Sequence, residues 1–160
     1  MKARYIINII VLALLQALFF NNVRIMGVAT PLIYVYFVLQ LPRHFHKWQK
    51  LLLCFFLGAL VDMFSNTHGL AMTALTTVGF IQSYFLELFL GREDEPDFKP
   101  SIKTMGFWKY SFYAFCLILI YCTIFFLLDA FSLADWQYLA MTIGGSLLVT
   151  LLFILLIDAI

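Results

Sequence analysis

Charged side chains are scarce in this sequence. Ten Lys and Arg and nine Asp and Glu make up 12% of its 160 residues. A water-soluble domain carries about a quarter of its residues as charge, so a soluble catalytic domain of ordinary surface is excluded. The charge that exists is nearly balanced, at a net +1, which leaves no strongly basic footprint for nucleic acid. Cysteine is also rare: Cys54, Cys116 and Cys122 all fall inside apolar runs. An odd number without Cys-x-x-Cys or clustered His argues against a disulfide framework or a zinc site, so the three are expected as buried apolar fillers. A phosphate-cradling glycine loop, a nucleophile–base arrangement and a carboxylate pair with shared geometry are equally lacking. The expectation is a non-enzymatic protein without a cofactor.

What the chain does have is apolar length. Hydrophobic residues make up 64% of the sequence, aromatic residues 18%, and the mean hydropathy is +0.97. Crossing the hydrocarbon core takes about 20 residues of helix, and runs of that order recur. The sequence predicts an all-α integral membrane protein of six transmembrane helices forming one domain, with spans at about 5–22, 25–41, 48–64, 70–90, 110–128 and 136–157. Lys2 and Arg4 precede the first run. That run is long for a signal peptide and has no Ala-x-Ala-type site at its end, so it is expected as an uncleaved first span.

Polar punctuation separates the runs. Asn21-Asn22, Pro42-Arg43-His44 and Ser65-Asn66-Thr67-His68-Gly69 mark turns. The acidic stretch Gly91-Arg92-Glu93-Asp94-Glu95-Pro96-Asp97 is expected as a solvated loop. Ser101 to Lys109 reads as an interfacial lead-in to the fifth span, with Trp108 as an aromatic anchor. Ser132-x-x-Asp135 is a candidate cap for the last helix. With the N-terminus inside, six spans put Lys2, Arg4, Arg43, Lys47, Lys50, Arg92, Lys99, Lys103 and Lys109 on the cytoplasmic side and only Arg24 outside. That asymmetry predicts both termini in the cytoplasm. His44, His46, Arg43, Lys47 and Lys50 then form a basic cluster facing anionic lipid headgroups.

Ionisable groups within a span are costly and therefore candidates for function. Asp62 lies about 21 Å along its helix from Trp48, with Gly58 one turn earlier on the same face. It could serve a ligand, a proton or a partner helix. The expected role is structural, with the carboxylate folding back onto Ser65, Asn66 or Thr67. On that reading Asp62→Asn should be tolerated. The fourth span carries a polar stripe of Thr73, Thr76, Ser83 and Glu87, with Thr77 and Gly79 close by. Small and hydroxylated residues at such spacings suit close helix packing, and Glu87 is expected to pair with Arg92 or Lys50. Ala140 and Gly144 form a small-xxx-small pair on the sixth span.

One stretch is more specific. From Leu51 the sequence reads LLLCFFLGALVDMFSNTHGLAMTALTTVGFIQSYF, preceded by Thr30-Pro31-Leu32-Ile33-Tyr34-Val35-Tyr36. A Pro-led second span, Gly-x3-Asp in the third, a short turn and Gly-Leu opening the fourth resembles the MreD family of rod shape-determining membrane proteins, best over residues 25–90. The resemblance implies a bundle similar to the substrate-binding subunits of energy-coupling-factor transporters and a scaffold role in the bacterial cytoplasmic membrane. The implied partner is an MreC-like protein, with MreB, RodA and a class B penicillin-binding protein in the same complex, besides membrane lipid. Together with the small and polar residues read from spacing, the candidates for helix packing or partner binding are Gly58, Asp62, Gly69, Thr73, Thr76, Gly79, Ser83, Ala140 and Gly144. The alternative is a small-molecule-binding transporter subunit, with Asp62, His68 and the polar stripe lining an outward pocket. The topology has a direct check: a reporter active only in the cytoplasm should be active when fused after Ile160 and inactive when inserted beside Arg24.

Overall fold

The computed structural model describes residues 32–43, 45–66, 68–90, 98–130 and 135–160, together with Arg4, Ile7, Asn8, Val11 and Leu15. Apart from Ile7, Asn8, Val11 and Leu15, the predicted first span lies outside the described residues. So do the start of the second, His44, Thr67 and the acidic loop. The helical elements are α1 (Val35–Leu39), α2 (Lys47–Ser65), α3 (Leu70–Phe89), α4 (Ile102–Met105), α5 (Phe107–Ala130) and α6 (Trp136–Ala159). The described residues contain no strand.

These six helices are not the six predicted spans. The stretches 48–64, 70–90, 110–128 and 136–157 are helical as α2, α3, α5 and α6. The described part of the second, 32–41, contains only the five-residue α1, which rises about 7.5 Å against a hydrocarbon core of about 30 Å. By length and apolarity α2, α5 and α6 are able to cross a membrane. With 20 residues α3 has comparable length, and it carries Gln82, Glu87 and three threonines among its apolar residues.

Helix ends follow from local chemistry. Asn66 ends α2 in the left-handed conformation at φ 55°, its N–H bonded to the Asp62 carbonyl. Gly69 precedes α3 at φ 80°, a backbone state that glycine adopts without steric cost. At α4 the Ser101 hydroxyl accepts from the Thr104 N–H, and Gly106 at φ 82° turns the chain into α5. The predicted lead-in is thus a single capped turn, and Trp108 beyond it is 84% exposed. Asp135 occupies the N-cap of α6 without a side-chain capping bond, and Ser132 lies outside the described residues.

Packing runs in chain order: α2 on α3, α3 on α5, and α5 on α6, with α1 seated against α3 and α5. The face of α5 that points inward repeats at helical spacing, as Tyr110, Tyr113, Ala114, Leu117, Ile118, Tyr121 and Cys122. The outward faces carry Phe56, Met63, Leu88, Leu148 and Leu152, all exposed. The interior holds Lys50, Asp62, Gln82, Ser83, Thr142, Ser146 and Thr150. Apolar patches on this scale do not occur on water-soluble monomers. They are what lipid requires, and the chain reads as a membrane protein.

Close approach between α2 and α3 depends on two glycines. A Cβ built on Gly58 would lie 2.4 Å from Met72 Cα and 2.9 Å from the Ala71 carbonyl oxygen. On Gly79 it would meet Cys54 Sγ at 2.5 Å. Cys54 fills the space that Gly79 leaves, and with Cys122 it is buried as expected, while Cys116 is partly exposed. Gly58→Ala pushes on backbone that cannot rotate away, and should cost about 1–3 kcal/mol. Gly144→Ala, with nothing within 4 Å, should leave stability unchanged or slightly raised. Thermal unfolding of both variants in detergent distinguishes the two sites.

Candidate functional site

The predicted constellation around Asp62 is assembled at the α2–α3 crossing, with backbone partners on α3 that were not expected; Thr67, one of the expected partners, lies outside the described residues. The two carboxylate oxygens accept separate backbone hydrogen bonds, from Ala71 N–H and Met72 N–H, each at 3.0 Å. The carboxylate therefore reaches past the turn and caps the first turn of α3, where backbone donors have no partner within the helix. Gly69 supplies the left-handed entry to that turn, and Gly58 lets α3 come close enough for both bonds. Gly58, Asp62 and Gly69 thus act as one fastening of a helical hairpin. Asp62 is 6% exposed, and its negative charge lies at the positive end of the α3 dipole.

The polar stripe of α3 divides. Gly79 and Ser83 are buried, Thr76 is half-buried, and Thr73 and Thr77 are exposed. The hydroxyls of Thr73, Thr76 and Thr77 bond carbonyls one turn back on their own helix. The stripe runs along the flank of the buried face, which is centred instead on Ala71, Ala74, Leu75, Val78, Gln82 and Leu86. Glu87 pairs with Lys47 at 4.0 Å, both half-exposed, rather than with Lys50, and Arg92 lies outside the described residues.

Lys50 departs most from expectation. The sequence places it in a headgroup-facing cluster, yet it is only 3% exposed. Its Nζ donates to Gln82 Oε1 at 3.2 Å, and Gln82 Nε2 donates to the Leu41 carbonyl at 3.2 Å. Tyr113 hydroxyl donates to the Leu39 carbonyl nearby in the chain. These bonds serve the carbonyls at the end of α1, which has no following turn to satisfy them. Gln82 belongs to no motif in the sequence; its one signal there is an amide in the middle of an apolar helix.

Two further clusters were not foreseen. Tyr34 and Tyr121 share a hydrogen bond between their hydroxyls, with rings edge-to-face at 5.8 Å. The spacing of Tyr110, Tyr113 and Tyr121 on one face of α5 foreshadows this buried aromatic column. Asp158, near the end of α6, accepts from Gln40 Nε2 at 3.0 Å and Tyr36 hydroxyl at 3.3 Å. Its other oxygen accepts from the Ile102 N–H at the start of α4. It joins three segments far apart in sequence, which no local pattern announces.

Ala140 and Gly144 lie on the opposite side of the molecule from the hairpin motif in contact order, on α6, and both are exposed. Met141 beside them is 68% exposed. The predicted site residues therefore form two groups, a hairpin core and an outward strip, and do not converge on one pocket. Among the described residues no group of three or more His, Cys, Asp or Glu is placed to hold a metal. No protein-family model, curated protein or solved structure matches this chain.

The double acceptance at Asp62 changes the expectation for its amide. Asn offers one acceptor oxygen and turns an NH2 donor against the second backbone N–H. Asp62→Asn should therefore cost about 1–3 kcal/mol, as for a buried donor left unmet. Asp62→Leu removes both acceptors and should cost more or abolish accumulation. Unfolding midpoints in detergent that place Asp62→Asn level with the unsubstituted protein would refute the capping role.

Proposed function

We propose that this chain is a non-catalytic membrane scaffold of the MreD type in the bacterial cytoplasmic membrane. On this reading it recognises an MreC-like partner chiefly through helix contacts in the bilayer and supports rod shape and lateral peptidoglycan synthesis. The observation that carries the proposal is the use made of its buried polar groups. The Gly-x3-Asp and Gly-Leu residues are engaged in holding α2 to α3. The buried hydroxyls of Thr150, Tyr34, Tyr121 and Tyr113 serve neighbouring backbone or one another, while those of Tyr110 and Ser111 have no hydrogen-bond partner among the described residues. What remains open is an exposed strip of small residues on α6, Ala140 and Gly144. In lipid, helices gain nothing from hydrophobic association, and small residues that admit a second backbone supply the attraction through packing. The proposal rests on this motif and geometry rather than on a matched relative.

The transporter-subunit reading finds less support. Asp62 has both oxygens bonded to backbone N–H groups, His68 is exposed, and the α3 threonines bond their own helix. A pocket needs convergent polar groups, and these diverge.

Detergent-extracted protein should co-purify with an MreC-like protein when the two are co-expressed. Replacing Ala140 and Gly144 with Leu should reduce that recovery at least several-fold while leaving the unfolding midpoint unchanged. Depletion in the native host that alters neither cell width nor wall insertion would overturn the assignment.

A further inference from the structure

A cleft of about 320 Å³ opens at the start of α2, with Arg43, Lys47, Lys50, Ser83 and Glu87 on its walls. Among the described residues its charge is unbalanced: three cations face one carboxylate, and that carboxylate is already paired with Lys47. Lys50 is buried, and its hydrogen bond goes to the neutral amide of Gln82. An ammonium has three N–H donors, so an amide oxygen meets only part of its demand. Arg43 adds a second unmet group, since its Nη1 is buried with no hydrogen-bond partner. Its backbone is fixed by a hydrogen bond from Arg43 N–H to the Phe98 carbonyl at 3.2 Å, which holds the side chain at the cleft.

A buried cation is costly unless an opposite charge answers it. Here two cations from different segments border one opening, and among the described residues neither has a carboxylate of its own. We infer that this cleft binds a phosphate-bearing anion, held by Arg43 and Lys50 on its inner side and Lys47 at its rim. Phosphate suits the donor set: guanidinium binds it through two parallel N–H bonds, and lysine adds a point charge. The Ser83 hydroxyl lines the same space and is able to donate a further bond. The same chemistry is offered by the headgroup of an anionic phospholipid and by a free phosphate or phosphate ester. The cleft lies at the end of α2 that the Lys and Arg distribution assigns to the cytoplasm, where both are present. This inference does not depend on the scaffold reading.

The test uses the full chain purified in a neutral detergent. Its unfolding midpoint is followed during titration with dioctanoyl phosphatidylglycerol, dioctanoyl phosphatidylcholine, and inorganic phosphate at constant ionic strength. Saturable stabilisation by phosphatidylglycerol but not by phosphatidylcholine or phosphate identifies a lipid headgroup. Saturable stabilisation by inorganic phosphate identifies a soluble anion. Either result should be weakened at least tenfold in apparent affinity by Arg43→Gln and by Lys50→Gln, and left unchanged by Lys109→Gln, which alters an exposed lysine away from the cleft. Arg43→Gln guards against a folding defect, because its side chain lacks the buried amide bond that Lys50 makes. Absence of saturable stabilisation by any anion overturns the inference, as does equal weakening by Lys109→Gln.

Discussion

Two backbone N–H groups at the start of α3 need acceptors in a place where water is scarce, and the Asp62 carboxylate supplies both. In hydrocarbon an unmet backbone donor costs several kcal/mol, so a helix that begins within or near the bilayer must find its cap inside the protein. Here the cap comes from the preceding helix, which couples the start of α3 to the position of α2. That coupling works only if the helices approach closely, and Gly58 against the Met72 backbone makes the approach sterically possible. The rest of the bundle follows from it. With α2 and α3 fixed, Gly79 lies over Cys54, Gln82 comes within reach of Lys50, and α5 packs against the other side of α3.

The interior repeats the same principle at other helix ends. The terminal carbonyls of α1 receive Gln82 and Tyr113, the entry to α1 is tied to Thr150 of α6 through the Leu32 N–H, and the first donor of α4 is taken by Asp158. Short helices such as α1 and α4 expose a large share of their backbone groups at their ends. They persist because side chains from long helices meet those groups. Several polar residues inside this protein thus reach from one helix to the end of another, and apolar residues face outward. Such an arrangement leaves the outer faces free for recognition. It also accounts for the basic cleft as an exception: Lys50 and Arg43 are inward-turned cations whose bonds within the chain are incomplete.

The resemblance to MreD-type proteins and the geometry meet at one point only, the Gly58–Asp62–Gly69 hairpin. Motif residues that look functional in a linear sequence serve here to fasten two helices. On the proposed scaffold reading such rigidity serves recognition, because a partner helix can recognise only a surface that holds still. On that reading the outward strip at Ala140 and Gly144 is suited to recognition by its small side chains.

Hydropathy and charge placement in the sequence determined the class, an all-α chain built for lipid, and the residues over which α2, α3, α5 and α6 form. These properties are local, since a run of apolar residues and a turn at Asn66 or Gly69 act through their neighbours. The sequence also marked Gly58 and Asp62 as belonging together, because one helical turn puts them on one face. It did not reveal what Asp62 bonds, that Lys50 turns inward to Gln82, or that Asp158 gathers Tyr36, Gln40 and Ile102. Nor did it show that the described part of the second predicted span contains only a five-residue helix. Those outcomes depend on which backbone donors and carbonyls lie unmet at a helix end, and on which side chain from a distant segment reaches them. Only the packed bundle decides that, because the cost of an unmet group is set by its surroundings and not by its place in the chain.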